Sequence, residues 1–594
     1  MVNSIHKSVI EVSKTWLSML LFHACFLTCA VHAQTNTLPQ SLSTVGVHAL
    51  KALDPTLTGQ GVRFAIVSPA ATYHDGESRN DYGPNLAHRS LSNSDIALHD
   101  GVSAPAGISS HSTAVCSILF GQDEAGYQEE IGAFQYQGIA PAAQVDVYEL
   151  LYFMGEVVLP QEAEPLVIIS ASCGWDFEDW YTRGIEALIE HEGVLAIASI
   201  GNGTDAFQAA LYPGASANVI GVGVVDSVDS DSLGIRIAHF GLAHPEHSSC
   251  GPTDDDRSKP DLVAPGNCLA ASADDAHSYD VTGNASSFAA PLVAGIAGLL
   301  VQKARQEPEL SAAVSPHGGN CVMKALLMNS ATKLPFWHKG ELTLEDDHRV
   351  PLDYAQGAGM VNGLEAYLQL TAGRQAPGRV SDKGWDIDEL STAGQTAHIY
   401  ALTVADPDED YITATLVWNR HYEPAFPFQP LPGKNNDLAL ELWAVDANDP
   451  TRDMRIDYSD SRKDNVEHLY TKSLPGFTEY QLIVLLRHPV PSEGQEAGPS
   501  EEAWERYGIA WNTAAGHDEK DIRWHDLNSD GVVDAADVRL LEETMARRPW
   551  ETRSTYTIGD VNTDGKVDMI DVEGLEAERD RRAAWYSERG AFRR

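Results

Sequence analysis

The run Gly283-Asn284-Ala285-Ser286-Ser287-Phe288-Ala289-Ala290-Pro291-Leu292-Val293-Ala294-Gly295-Ile296-Ala297-Gly298-Leu299-Leu300 decides the reading of this chain. Small residues form a turn around Ser287, and Val293, Ile296, Leu299 and Leu300 then recur at helical spacing, with Pro291 just inside the first turns. A serine at such a junction is held rigidly. The positive end of the helix dipole and its orphan N–H groups suit a nucleophile that generates an oxyanion beside itself. Taken alone, the stretch reads equally well as a small-residue helix start packed closely on a neighbour.

Two other segments shift that balance. Ser110-His111-Ser112-Thr113-Ala114-Val115 places a histidine at the start of a small, apolar helix, where its ring can enter a cleft as general base. Val194 to Ile200 is an apolar strand that ends in the turn Gly201-Asn202-Gly203, from which the Asn202 amide can reach a developing oxyanion. Singly, His111 fits a structural histidine and Asn202 a turn former. Together, in the order histidine, asparagine, serine, they are hard to assign to packing.

These motifs resemble the subtilisin-like serine peptidases, the S8 family. Gly138-Ile139-Ala140-Pro141, Tyr212-Pro213-Gly214 and Lys259-Pro260-Asp261-Leu262-Val263-Ala264-Pro265-Gly266 also read like stretches of that fold. The resemblance spans about residues 45–370 and implies an α/β domain, a parallel sheet flanked by helices. By position it makes Ser287 the nucleophile, His111 the general base and Asn202 the oxyanion donor. One position departs from the family. Its first strand ends in a catalytic aspartate, and the matching strand here, Val62 to Pro69, carries Ser68 at that place. A serine can orient the histidine but gives the imidazolium no counter-charge. Three states follow: a slow enzyme, an enzyme using a relocated carboxylate (Asp75, Glu77, Asp81, Asp95 or Asp100), or a catalytically silent binding or scaffold subunit.

At the amino end, Lys7 and Lys14 precede the apolar run Trp16 to Val31, and Val31-His32-Ala33 supplies small residues for cleavage, so residues 1–33 read as a signal peptide. Export and a secreted product without a membrane anchor are expected. Beyond the signal stand Cys116, Cys173, Cys250, Cys268 and Cys321, without CxxC spacing. Cys250 and Cys268 flank a loop and are expected to be able to pair, whereas Cys116 and Cys173 sit in apolar runs.

Residues 375–512 contain short, partly alternating runs (397–404, 411–418, 438–445) between Pro, Asn, Asp and Gly clusters, and predict a β-sandwich. Its strand order resembles the pre-peptidase C-terminal sandwiches of secreted peptidases. Residues 520–585 carry a repeat. Asp526, Asn528, Asp530, Val532 and Asp537 return in the same phase as Asp560, Asn562, Asp564, Lys566 and Asp571, each set with glycine at the sharp turn and a helical pattern behind it. Side-chain oxygens at loop positions one, three, five and twelve and a backbone carbonyl at seven suit Ca²⁺. The pair resembles a type I dockerin, which implies a small all-α domain with two Ca²⁺, Asp534 and Asp568 acting through water, and a cohesin-bearing partner met at Ala535-Ala536 and Met569-Ile570.

The 594 residues carry a formal charge of −44. That charge repels nucleic acid and anionic membranes, and the resemblance to the S8 peptidases implies a serine endopeptidase with a protein or peptide substrate.

Overall fold

The computed structural model describes residues 37–514, except 40, 71, 75–76, 102–106, 130–131, 164–166, 204–208, 228–239, 244–247, 335–336, 341–344, 406–410, 432–435 and 488–502, and beyond them residues 533–539, 541, 569–577 and 579. The signal segment and most of the expected calcium ligands lie outside the described residues.

The amino-terminal unit is built on one twisted sheet. Its strands are β1 (Arg63–Ser68), β2 (Asp95–His99), β3 (Gln144–Glu149), β4 (Ile168–Ala171), β5 (Leu195–Ser199), β6 (Ile220–Ser227), β7 (Phe240–Ala243) and β8 (Leu262–Pro265). Their order is β7-β6-β5-β4-β1-β3-β2, with β8 also paired to β6, and every pairing is parallel except β6 with β7. Ile168–Ala171 and Leu195–Ser199 are buried at every residue, as expected of parallel strands covered on both faces. The order reverses at β1, so the carboxyl ends of β1, β3 and β4 open a crevice where an α/β sheet places its ligand. Among the described residues, the helices of nine residues or more in this unit are α1 (Ser110–Phe120), α2 (Trp180–Glu192), α3 (Ser286–Gln306), α4 (Gly319–Asn329) and α5 (Gly363–Thr371). Helix α3 alone among the described residues is long and apolar enough to cross a membrane, yet 83% of its apolar window is buried inside the fold. It is a core helix.

A charged cluster lies inside this unit. Asp261 receives Lys259 at 2.5 Å and Lys324 at 2.8 Å, and the Gly221 N–H donates to it at 2.7 Å, with all three charged side chains nearly inaccessible. Burial works against ionisation of Asp261, but the two lysines outweigh it and hold the carboxyl below its usual range.

The second unit consists of two sheets. Strands β9 (Gly378–Arg379), β10 (Lys383–Ser391), β11 (Ala397–Thr403), β12 (Tyr411–Trp418), β13 (Asp437–Val445), β14 (Met454–Ser459), β15 (Val466–Lys472), β16 (Glu479–Arg487) and β17 (Trp504–Asn512) sort into β9-β11-β16-β13-β14 and β10-β17-β12-β15. Tyr400, Leu440 and Leu482 of the first meet Leu390, Leu416 and Trp511 of the second in a shared core. The outer face of the four-stranded sheet rests on α4 and α5. Asn329 accepts the hydroxyls of Thr413 and Thr415 at 3.2 Å each, and Gln369 donates to the carbonyls of Gly384 and Trp511 at 2.7 Å. Gly508 is required there, because a Cβ would come within 2.5 Å of the Val322 nitrogen.

A second bolt joins the units. His421, buried, bonds Glu190 of α2 at 2.6 Å through Nδ1 and Glu505 at 3.1 Å through Nε2. Burial disfavours the imidazolium, but the two glutamates outweigh that and push its pKa up to about 10. A raised pKa stabilises fully below the unfolded value of about 6.5 and is lost on the way up to the folded one. Thermal stability is therefore expected to fall as pH rises from 6.5 through about 10 by an amount that disappears in His421→Gln. A wild type and variant with parallel pH profiles would contradict this.

The five described cysteines are all free thiols. Cys268, fully buried, takes the Ser41 hydroxyl on its sulfur at 3.2 Å instead of meeting Cys250, which corrects the expected pairing.

Candidate active site

Four chain segments converge at the crevice. Helix α1 begins behind Ser109, whose hydroxyl caps it by accepting the Ser112 N–H at 3.2 Å. This leaves His111 in the first turn, half-buried, with its ring 5.6 Å from that of Phe288. Burial lowers the His111 pKa from 6.5, which favours the neutral imidazole.

Helix α3 starts at Ser286 with no side-chain cap from Ala285. Asn202 supplies what the cap does not: its Oδ1 accepts both the Ser286 N–H and the Ser286 hydroxyl, at 2.8 Å each. A backbone N–H can only donate, so the atom facing it must be the amide oxygen, and the Asn202 NH₂ is turned away from it. Ser286 Oγ in turn accepts the Gly201 N–H at 3.2 Å, locking the Gly201-Asn202-Gly203 turn to the helix. Gly201 has φ +111°, and a Cβ there would sit 2.4 Å from Ser249 Oγ, so the turn depends on glycine.

Ser287 follows in the first helical turn, where N–H groups have no intrahelical acceptor. It exchanges two bonds with Ser172, just past β4: Ser172 Oγ donates to the Ser287 carbonyl at 2.8 Å, and Ser287 Oγ points at the Ser172 carbonyl at 3.4 Å. The chain runs on to Trp175, which pairs through its backbone with Tyr212 at 2.9 and 2.8 Å. Between them Cys173 packs against an apolar cluster, and burial pushes its thiol up to about 12, which removes it as a nucleophile at neutral pH.

Ser68 ends β1 and is buried, with its Oγ 2.5 Å from Ser112 Oγ. It bonds the neighbour of the histidine, not the histidine. No hydrogen bond joins the His111 ring to Ser287, and no carboxylate bonds that ring, among the described residues. Of the carboxylates raised as replacements, Asp95 is exposed and Asp100 is engaged by Asn80 at 2.9 Å and by Tyr82. Asp81 makes no bond to the ring, and the side chains of Asp75 and Glu77 lie outside the described residues. The carboxylate nearest Ser68 in the sheet is Glu149, its register partner, which caps the following turn by accepting the Tyr152 N–H at 2.9 Å. Sequence reading missed Ser286, Ser112, Phe288 and Glu149. The first three are chain neighbours of Ser287 and His111 and were within reach, whereas Glu149 depends on strand order.

Of the expected calcium ligands, Asp537 is described. It is fully buried within a short helical run, 535–539, and accepts the Asp534 N–H at 2.7 Å. Asp571 opens no further geometry, although its backbone lies in α6 (Met569–Ala577). Asp526, Asn528, Asp530, Val532, Asp560, Asn562, Asp564 and Lys566 fall outside the described residues.

Residues 84–359 match the family model of the Subtilase family, and residues 524–577 match that of the dockerin type I domain. The chain is similar to the serine protease AprX of Bacillus subtilis (strain 168), at 28% identity over 295 residues, 43% of this chain and 60% of that protein. It thus spans about 60% of the length of that curated relative. Among solved structures, the self-cleaved protease domain of PatA aligns at 22% identity over 53% of this chain and 99% of that one, with a TM-score of 0.35.

Proposed function

From a chain that carries a subtilase-type serine peptidase domain and a type I dockerin domain, we propose a secreted endopeptidase that hydrolyses peptide bonds through an acyl-enzyme on Ser287 and is tethered through its dockerin to a cohesin-bearing partner. Ser287 Oγ attacks the scissile carbonyl carbon as its proton passes to the His111 imidazole. The Asn202 NH₂ and the Ser287 N–H receive the oxyanion, and the imidazolium returns its proton to the departing amine. Water, deprotonated by the same imidazole, then hydrolyses the ester. In the resting enzyme the Ser287 hydroxyl rests on Ser172, and a bond to His111 forms as substrate displaces it.

The observation that carries this reading is the pair of hydrogen bonds from Ser286 to Asn202 Oδ1, which holds the Asn202 amide at the start of α3, one residue before the nucleophile, ahead of any substrate. Asn202→Ala is expected to lower kcat by about 10²–10³ with little change in KM, the loss typical of one oxyanion donor. A kcat within about twofold of wild type would remove Asn202 from the mechanism.

With Ser68 at the aspartate position, turnover is slow. A second reading, a silent protease-like binding subunit, is favoured by the absence of any carboxylate on His111 among the described residues. Fluorophosphonate reactivity separates the two.

The repeated oxygen-rich loops fit Ca²⁺, and a fully buried Asp537 at the twelfth position of the first suits a hard cation better than an apolar core. Asp526, Asn528, Asp530, Asp537 and the Val532 carbonyl would hold one ion, and Asp560, Asn562, Asp564, Asp571 and the Lys566 carbonyl the other. The metal supplies folding free energy to a domain this small. In the full chain, chelation is expected to open residues 520–585 to limited proteolysis while the peptidase domain stays intact, and Ca²⁺ to reverse it. Equal resistance with and without chelator would contradict this.

A further inference from the structure

Away from the crevice, an amine and an imidazole meet where the first unit touches the sandwich. Lys333, shortly past α4, directs Nζ to Nε2 of His468 in β15 at 2.7 Å and also donates to the Ala358 carbonyl. The Trp337 ring lies 4.5 Å from Nζ and the Tyr470 ring 5.2 Å. Lys333, Trp337 and Tyr470 are half-buried, whereas His468 and Thr415 behind them are fully buried.

The hydrogen bonds fix the tautomer. Lysine donates, so Nε2 accepts; Nδ1 then carries the ring proton and gives it to Thr415 Oγ1 at 2.8 Å, whose own hydrogen goes to Asn329 at 3.2 Å. Nucleophile, base and a third group orienting the base are the parts of an activated nucleophile. No carboxylate among the described residues bonds Lys333. Burial, and then repulsion from Lys339, push Lys333 well below the usual lysine range against a weaker pull from Asp353, while burial and the Lys333 charge do the same to His468. A single hydrogen lies between Nζ and Nε2, and either nitrogen can hold it.

We propose that Lys333 is a reactive amine that captures small aldehydes as an imine, with His468 as its proton relay. The Lys333 ammonium first passes a proton to His468 Nε2, and the freed Nζ lone pair bonds the carbonyl carbon as that Nε2–H protonates the oxygen. His468 then takes a second proton from the nitrogen and delivers it to the carbinolamine hydroxyl, which leaves as water as the C=N bond forms. The dyad's one positive charge remains on the iminium, faced by Trp337 and Tyr470 as a cation is by aromatic rings.

The full-length chain, treated briefly with acetaldehyde and cyanoborohydride at pH 7, traps imines as N-ethyl lysines that peptide mass spectrometry quantifies site by site. Lys333 is expected to be ethylated at least about tenfold faster than the exposed Lys472, with the ratio falling towards one near pH 10–11, where ordinary lysines also lose their protons. His468→Gln, or Thr415→Val if that variant does not fold, should lower the ratio at pH 7. A Lys333 no faster than Lys472, or an advantage unchanged across pH, would overturn the proposal.

Discussion

Ser68→Asp is expected to raise kcat/KM by about 10²–10⁴, because neutralising the corresponding carboxylate in a serine peptidase costs about four orders of magnitude. Ser68 closes β1 at the point where the strand order reverses, and its hydroxyl already lies 2.5 Å from that of Ser112, the residue after the base. An aspartate there finds a ready donor in Ser112 and places a negative charge by the first turn of α1, where the proposed mechanism makes His111 an imidazolium in the transition state. The pH profile should move with it. In the wild type, burial holds the His111 pKa below 6.5, and neutral imidazole is the working form, so activity should persist below pH 6.5 before its acid limb is reached. A carboxylate stabilises the protonated ring, so the acid limb of Ser68→Asp should shift upward. A variant no faster than wild type, with an unmoved limb, would mean that position 68 has no electrostatic access to His111.

Asp261→Asn is expected to cost about 3–5 kcal/mol, read as a lower urea midpoint for the peptidase unit, since it leaves two buried lysines, of which burial already pulls Lys259 down to about 7, without a counter-charge. Lys259 and Lys324 cannot reach water from where they stand, and the carbonyls of Val219 and Ala217 that they also bond carry dipoles, not charge. Replacing all three, with Lys259→Met, Lys324→Met and Asp261→Leu together, should recover much of the loss, because a well-packed apolar trio avoids desolvation altogether. An unchanged midpoint in the single variant would show that the lysines deprotonate at little cost.

Local signals in the sequence were enough to find the helix starts at Ser110 and Ser286 and the strand before Asn202, because small residues, turn glycines and apolar spacing act within a few residues of one another. The same signals located the runs that become β11, β12 and β13. What they did not carry was pairing. That Glu149 sits beside Ser68, that Asn329 and Gln369 bind the second unit, and that His421 is gripped by Glu190 and Glu505 all depend on residues far apart in sequence, and no spacing rule brings them together. Nor did it reveal that Asn202 faces Ser286 through its oxygen, which follows only once the helix end and the turn are adjacent.

Fluorophosphonate labelling of the folded full-length protein tests the central claim that Ser287 is a nucleophile served by a histidine lacking a carboxylate. Slow labelling confined to Ser287, absent from Ser287→Ala, reduced by His111→Ala and accelerated by Ser68→Asp, is the expected result. A folded wild type that remains unlabelled, or that labels equally well after Ser287→Ala, would contradict it.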